Sequence, residues 1–157
     1  MSYIPIHVHT CWSLLDSTLL VSDLAKKAQS LGIPAVCLTD HHNIKALVLF
    51  FKEMQSRGIR PIVGCELNIF NEDSSGFHTA TVLAKNKNGL KNIVKLVSLG
   101  NETRNIGVLG KPCVSFEEVR QFSADLICLM GDSRSELYCS IYDNPSLAFR
   151  ASSEENC

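Results

Sequence analysis

His7 and His9 sit two residues apart at the end of the apolar run Ile4-Pro5-Ile6-His7-Val8. Asp40 and His41 close a second run, Ala35-Val36-Cys37-Leu38-Thr39, and Glu66 closes a third, Pro61-Ile62-Val63-Gly64-Cys65. His78 lies at the start of a fourth, Phe77 to Lys85, and Asp132 follows Gly131 after a fifth, Leu126 to Met130. Asp16 lies between the first two, in Leu14-Leu15-Asp16-Ser17. Imidazoles and carboxylates are the side chains that bind divalent metal ions. Delivered at the ends of strands, where an α/β barrel keeps its chemistry, this set reads as part of a metal site. Residues two apart on a strand share a face and lie about 6.6 Å apart, at about 3.3 Å per residue. His7 and His9 can therefore converge on one ion or hold neighbouring ones.

Each residue also has a plainer reading. The two histidines could be polar residues on a solvated strand face. Asp40 could cap a helix by satisfying free backbone N–H groups, a task Asn43 could take instead. His42 could be simply exposed, and His78 a half-buried surface histidine. Asp16 and Asp132 suit a helix entry and a turn. Glu66 differs, because Ile62, Val63, Cys65 and Leu67 around it imply a covered strand, where a carboxylate is paired or metal-bound. No GxSxG elbow or Walker-type glycine loop occurs, which argues against serine hydrolase and P-loop chemistry. The cysteines show no partner pattern for a thiol nucleophile.

The elements that must position these residues alternate short apolar runs with longer amphipathic ones. Val21, Leu24, Ala25, Ala28 and Leu31 share a helical face, and Gly32 follows as a stop. A second helix is expected from about Ile44 to Ser56, with Ile44, Leu47, Val48, Phe51 and Met54 as its buried stripe and Gly58 beyond it. A strand from about Pro61 to Phe70 precedes the polar turn 71–76 and the strand Phe77 to Lys85. Asn88 and Gly89 open another helix bearing Leu90, Ile93, Val94 and Val97. Gly100 to Val114 reads as a loop. Ser115 caps a short helix through Gln121, with Glu117 and Glu118 favourable in its first turn. Leu126 to Met130 is expected to be a buried strand, Ser133 to Tyr142 helical, and 152–157 a polar, frayed end. Continuous apolar strands in β-then-α order argue for parallel strands with helical crossovers.

The 157 residues suit one domain with a sizeable core. A formal net charge of -1 gives no sign of a globally basic nucleic-acid binder, though a local basic stripe would be compatible with it. The N-terminus lacks the basic region and long apolar core of a signal peptide, and no run approaches the ~20 apolar residues of a membrane span. Seven cysteines with no CxxC pair, three of them (Cys37, Cys65 and Cys128) inside apolar runs, fit a reducing cytosol better than a disulfide scaffold. A cytoplasmic location is expected.

The stretches His7-Val8-His9-Thr10 with Ser13-Leu14-Leu15-Asp16, Leu38-Thr39-Asp40-His41, and Gly58 through Glu66 resemble the PHP (polymerase and histidinol phosphatase) superfamily. With His78, Val82-Leu83-Ala84-Lys85-Asn86 and Gly89-Leu90-Lys91-Asn92, they are similar to the branch found as the N-terminal domain of bacterial DNA polymerase III alpha subunits. The likeness runs from about Tyr3 to Leu137, so the whole chain, 1–157, reads as a partial PHP domain with a polar tail from 143. The resemblance implies an α/β fold, a distorted (β/α)7 barrel of which about five βα units are present. The family's final Asp-x-His pair lies beyond the matched stretch. It further implies up to three divalent ions (Mn, Zn or Mg) held by His7, His9, Asp16, His41, Glu66, His78 and Asp132, with Asp40 orienting a ligand. Asp132 stands where the family has cysteine or histidine, which would favour Mn or Mg over Zn. His42 stands where glycine is usual and would crowd the turn or add a ligand.

The implied activity is metal-dependent phosphoester hydrolysis of the 3′-5′ exonuclease type, with His7, His9, Asp40, His41 and Glu66 as the catalytic set. DNA would reach the domain through the parent polymerase, whose catalytic domain and a proofreading exonuclease subunit are the implied partners. Two other readings stand beside it: a non-catalytic module that stabilises the polymerase or docks the exonuclease, and a stand-alone phosphatase acting on a small phosphomonoester. The Leu83-Ala84-Lys85-Asn86 stretch weighs against the phosphatase.

Overall fold

In the computed structural model, residues 3–70, 77–102 and 110–129 are described. They form a mixed five-stranded sheet with helices, in the order α1 (Val21–Ser30), β1 (Ala35–Leu38), α2 (Leu47–Gln55), β2 (Arg60–Phe70), β3 (Phe77–Ala84), α3 (Lys87–Gly100), β4 (Val114–Ser115), α4 (Phe116–Gln121) and β5 (Leu126–Leu129). The long strand β2 organises the sheet. Its first half pairs in parallel with β1, Ala35 opposite Arg60 through Leu38 opposite Val63. Its second half pairs antiparallel with β3, and β4 joins its last residues in parallel. β5 pairs antiparallel with the other edge of β3. The α/β class expected from the sequence holds.

The all-parallel expectation fails at β3 and β5. Only residues 71–76 separate β2 from β3, and a parallel crossover needs a dozen or more. An antiparallel hairpin is the connection that such a length permits. β5 is also less covered than expected, with Ile127 and Cys128 exposed, because among the described residues it lies at the edge of the sheet.

The first apolar run does not form a regular strand. Cys37 donates its N–H to the Pro5 carbonyl (3.0 Å) and Thr39 to that of Val8 (2.9 Å). Between these bonds the segment advances three residues while its neighbour advances two, so one extra residue breaks the ladder, as in a bulge. The Thr39 hydroxyl mends the gap by accepting from Val8 N (2.8 Å) and donating to Val8 O (3.0 Å).

Two apolar cores flank β2. The first packs Val21, Ala25 and Ala28 of α1 and Phe50 and Met54 of α2 on Val36 and Leu38. The second packs Ile93, Leu96 and Val97 of α3 on Cys65, Leu67, Val82 and Val114. Because α2 starts at Leu47, its inward face carries Phe50 and Met54, and Val48 is solvated rather than buried. Leu31 is likewise exposed, at the C-terminal boundary of α1. Gly58, at φ +69°, takes the left-handed turn that leads the chain from α2 into β2.

Helix α3 begins at the Asn86 cap, whose side chain accepts from the N–H groups of Asn88 and Gly89, and it extends through Gly100. The expected loop from Gly100 is thus shorter at both ends, since Val114 and Ser115 are strand. Ser115 caps α4 as expected, with a reciprocal capping box to Glu118. Asp132, the segment Ser133–Tyr142 and the tail from 143 lie outside the described residues.

Candidate metal centre

β1 ends at Leu38, yet its direction continues as a bridge between His41 and Glu66. Glu66 N–H donates to Asp40 O (3.2 Å) and His42 N–H donates to Glu66 O (2.8 Å). The His41 and Glu66 backbones are thereby fixed side by side. His41 Nδ1 lies 2.8 Å from Glu66 Oε1. From the N-terminal segment, His7 Nε2 reaches Glu66 Oε2 at 2.9 Å and His9 Nε2 reaches it at 3.4 Å. The two imidazole nitrogens stand 2.9 Å apart. On its other side His9 Nδ1 meets Asp16 Oδ2 at 2.5 Å, and His41 Nε2 lies 3.3 Å from the same oxygen.

Two overlapping groups result, His7–His9–Glu66 and His9–Asp16–His41, each with its ligand atoms within 4.8 Å of one another. Three imidazoles and two carboxylates in this arrangement are a donor set for divalent metals. The carboxylate of Glu66 is at the bottom, almost wholly buried. Burial pushes its carboxyl up, but hydrogen bonds from His41, His7 and His9 outweigh that and hold it well below the usual carboxylate range. Glu66 in turn raises His9, against the opposing effect of burial, with Asp16 adding to the rise. Asp16 is lowered, chiefly by its hydrogen bond with His9.

Asp40 does not face this cluster. Its carboxylate is 0% exposed and accepts from Thr10 N (2.6 Å), Thr10 Oγ1 (2.7 Å) and Ser13 Oγ (2.7 Å). Ser13 Oγ in turn accepts from His41 N–H at 3.2 Å. Asp40 thus anchors the loop between His9 and Asp16 instead of capping a helix or orienting an imidazole directly. Thr10, Ser13 and Thr39 support the site without being ligand types themselves. The Thr-x-x-Ser spacing between His9 and Asp16 was the available signal.

His78 is not part of the cluster. It pairs with Ile69 while Glu66 pairs with Thr81, an odd offset that places His78 on the opposite face of the hairpin, with Ile69 and the α3 core. The β3 residues nearest Glu66 on its face are Thr79 and Thr81, both buried. His42 is not exposed, and it lies outside both groups found among the described residues. It is buried at φ +44°, its Nε2 lies 3.4 Å from Asn68 O, and its Nδ1 has no hydrogen-bond partner. Burial lowers its pKa to about 4.

Among the described residues, no helix is long and apolar enough to cross a membrane. The chain is 37% identical to a DNA polymerase III subunit alpha of Chlamydia pneumoniae and 36% identical to that of Treponema pallidum. These alignments cover 83% and 82% of the chain but only 11% and 12% of those relatives, so the chain spans about an eighth of their length or less. An amidohydrolase structure from Chromobacterium violaceum superposes with a TM-score of 0.51 at 20% identity, over 64% of this chain and 34% of that one, a likeness of fold alone. The PHP domain profile matches residues 5–155, nearly the full length, and the chain therefore belongs to the PHP domain family.

Proposed function

We propose that this chain is the PHP region of a DNA polymerase III alpha subunit and that its cluster hydrolyses phosphoesters at a nucleic-acid 3′ end. The observation that carries the reading is the convergence of His7, His9, Asp16, His41 and Glu66 from three separate parts of the chain. A stability-driven core has no use for five such side chains gathered at one mouth. The similarity to DNA polymerase III alpha subunits supports a nucleic-acid substrate.

Glu66 is the buried anion around which the site is built, and His7, His9 and His41 aim ring nitrogens at its two oxygens. Asp16 supplies a second carboxylate, more exposed, at the outer side of His9 and His41. These five would hold divalent ions, with Mn or Mg the expected choice and Asp132 a further oxygen ligand. Such ions, when bound, supply Lewis acidity and ionise water near neutral pH. Asp40 keeps the His9-to-Asp16 loop in place, so that ligands from both ends of it stay aligned.

Elemental analysis and Mn titration of the purified chain test this, beside its Glu66→Gln variant. Wild type should bind ions that the variant holds roughly tenfold or more weakly. Bis(p-nitrophenyl) phosphate should be turned over by the loaded wild type in preference to p-nitrophenyl phosphate. Unchanged stoichiometry and affinity in Glu66→Gln would defeat the ligand assignment. Metal bound without turnover would leave the structural-module reading, in which the domain stabilises the polymerase or docks a proofreading exonuclease.

A further inference from the structure

The loop from Thr10 to Leu15 is pinched shut at its base, because His9 and Asp16, which flank it, touch through Nδ1 and Oδ2. It is also rigid. Asp40 takes its three hydrogen bonds inside the loop, Cys11 N–H donates to Leu19 O (2.9 Å), and Asn43 Nδ2 donates to Trp12 O (3.1 Å). Its polar residues Thr10 and Ser13 point inward and are buried. Its large apolar residues point outward: Trp12 is 41% exposed, Leu14 81% and Leu15 109%. Leu15 is moreover held at φ 65°, a conformation that a leucine rarely adopts and that burial here does not repay. An apolar rim has been fixed in water beside a charged cluster.

The rim has no charged residue between His9 and Asp16, so it offers nothing to a phosphate. Three side chains on a six-residue loop fall far short of the ~800 Å² per partner of a standard protein interface. The rim is of a size for one flat, uncharged ring system, and indole faces stack on nucleobases without regard to sequence. Trp12 is three residues from His9, hence within about 11 Å of it even with the chain extended, so a base on Trp12 and a phosphate at the cluster can belong to the same or adjoining nucleotides.

We propose that Trp12, flanked by Leu14 and Leu15, is a stacking platform for an unpaired nucleobase next to the phosphate presented to the cluster. The proposal rests on the phosphoester reading above and adds to it the recognition of a single-stranded end.

Trp12 is the only tryptophan in the chain, so its emission reports on the platform directly. Titrating the full 157-residue chain with tetrathymidylate should give saturable quenching. An abasic tetranucleotide of equal charge should give none. In anisotropy measurements with a labelled tetrathymidylate, Trp12→Ala should bind roughly tenfold more weakly, and Trp12→Phe should recover most of the loss. Equal quenching by the abasic strand, or unaltered affinity in Trp12→Ala, overturns the platform. So does emission that shifts with protein concentration alone, which would place a second copy on the rim. Failure of the underlying reading is separate: the unaltered chain would then neither bind Mn nor hydrolyse bis(p-nitrophenyl) phosphate, whatever its emission does.

Discussion

Asp40 and His42 flank His41 of the candidate cluster on either side and act on it in opposite ways. Asp40 is a buried anion satisfied by three donors, so Asp40→Asn would turn an amide N–H₂ toward hydrogens already pointing inward. The loss should be about 1–3 kcal/mol of stability, read by urea unfolding, together with weaker Mn binding as the 10–16 loop slackens. His42 is a buried neutral base. Its folded pKa, about 4, lies below its ordinary 6.5, so the unfolded chain binds the extra proton between those values. Stability of the metal-free chain should therefore be fully present above pH 6.5 and fall as pH drops toward 4, by about 1.4 kcal/mol per unit from this group. His9, raised instead, is protonated in both states over that window and contributes no slope there. His42→Asn, which tolerates the left-handed backbone, should flatten the acid limb in denaturation curves measured across that range.

At the scale of elements, α3 is set by a close approach that only glycine permits. A Cβ on Gly89 would lie 2.2 Å from Asp125 O and 3.2 Å from Ala84 Cα, both backbone atoms that cannot swing aside. Gly89→Ala should cost about 1–3 kcal/mol through this clash, despite alanine's better helix propensity. Gly58→Ala meets open space and carries only the strain of its φ +69°, so it should cost about 1–2 kcal/mol or less. A thermal melt of the two variants ranks them, and an equal or reversed order would show that α3 does not rest on the Asp125 backbone. The same reasoning on β2 explains why its centre bears Gly64: a Cβ there would meet Leu83, Val82 O and Thr39 within 2.9 Å.

For the molecule as a whole, the cluster joins parts that pack separately. One core lies with α1, β1 and α2, the other with α3 on β2 and β3, and the donors come from the N-terminal segment, the end of β1 and the middle of β2. An ion bound there ties the N-terminal segment and its loop to the sheet. Mn at about a hundred times its dissociation constant should add about 2.7 kcal/mol, a rise of roughly 5–11 °C for a chain of this size. Melts with Mn and with EDTA, in wild type and in Glu66→Gln, check this. No metal-dependent shift in wild type would mean that the cluster does not assemble as a binding site.

His7, His9, His41 and Glu66 were legible in the sequence because they fall at or near the ends of apolar runs, two of which become β1 and β2. The structure brings them together with Asp16, whose place in the set came from the family resemblance and not from spacing. The capping box at Ser115, the helix bounds around α1 and the covered strand at Glu66 were likewise local properties, determined by residues within a few positions. What sequence order left open was direction and face. The β2–β3 hairpin runs antiparallel, and its register alone decides that Thr79 and Thr81, not His78, lie beside Glu66. The side on which Asp40 spends its hydrogen bonds, and the burial of His42 against Asn68 and Gly100, depend on groups that sit 26 to 58 residues away or on turns with no period of their own. A one-residue offset reverses every side chain of a strand. Hydrophobic pattern therefore determined which residues this protein carries to its site, and only tertiary pairing decided which of them face it.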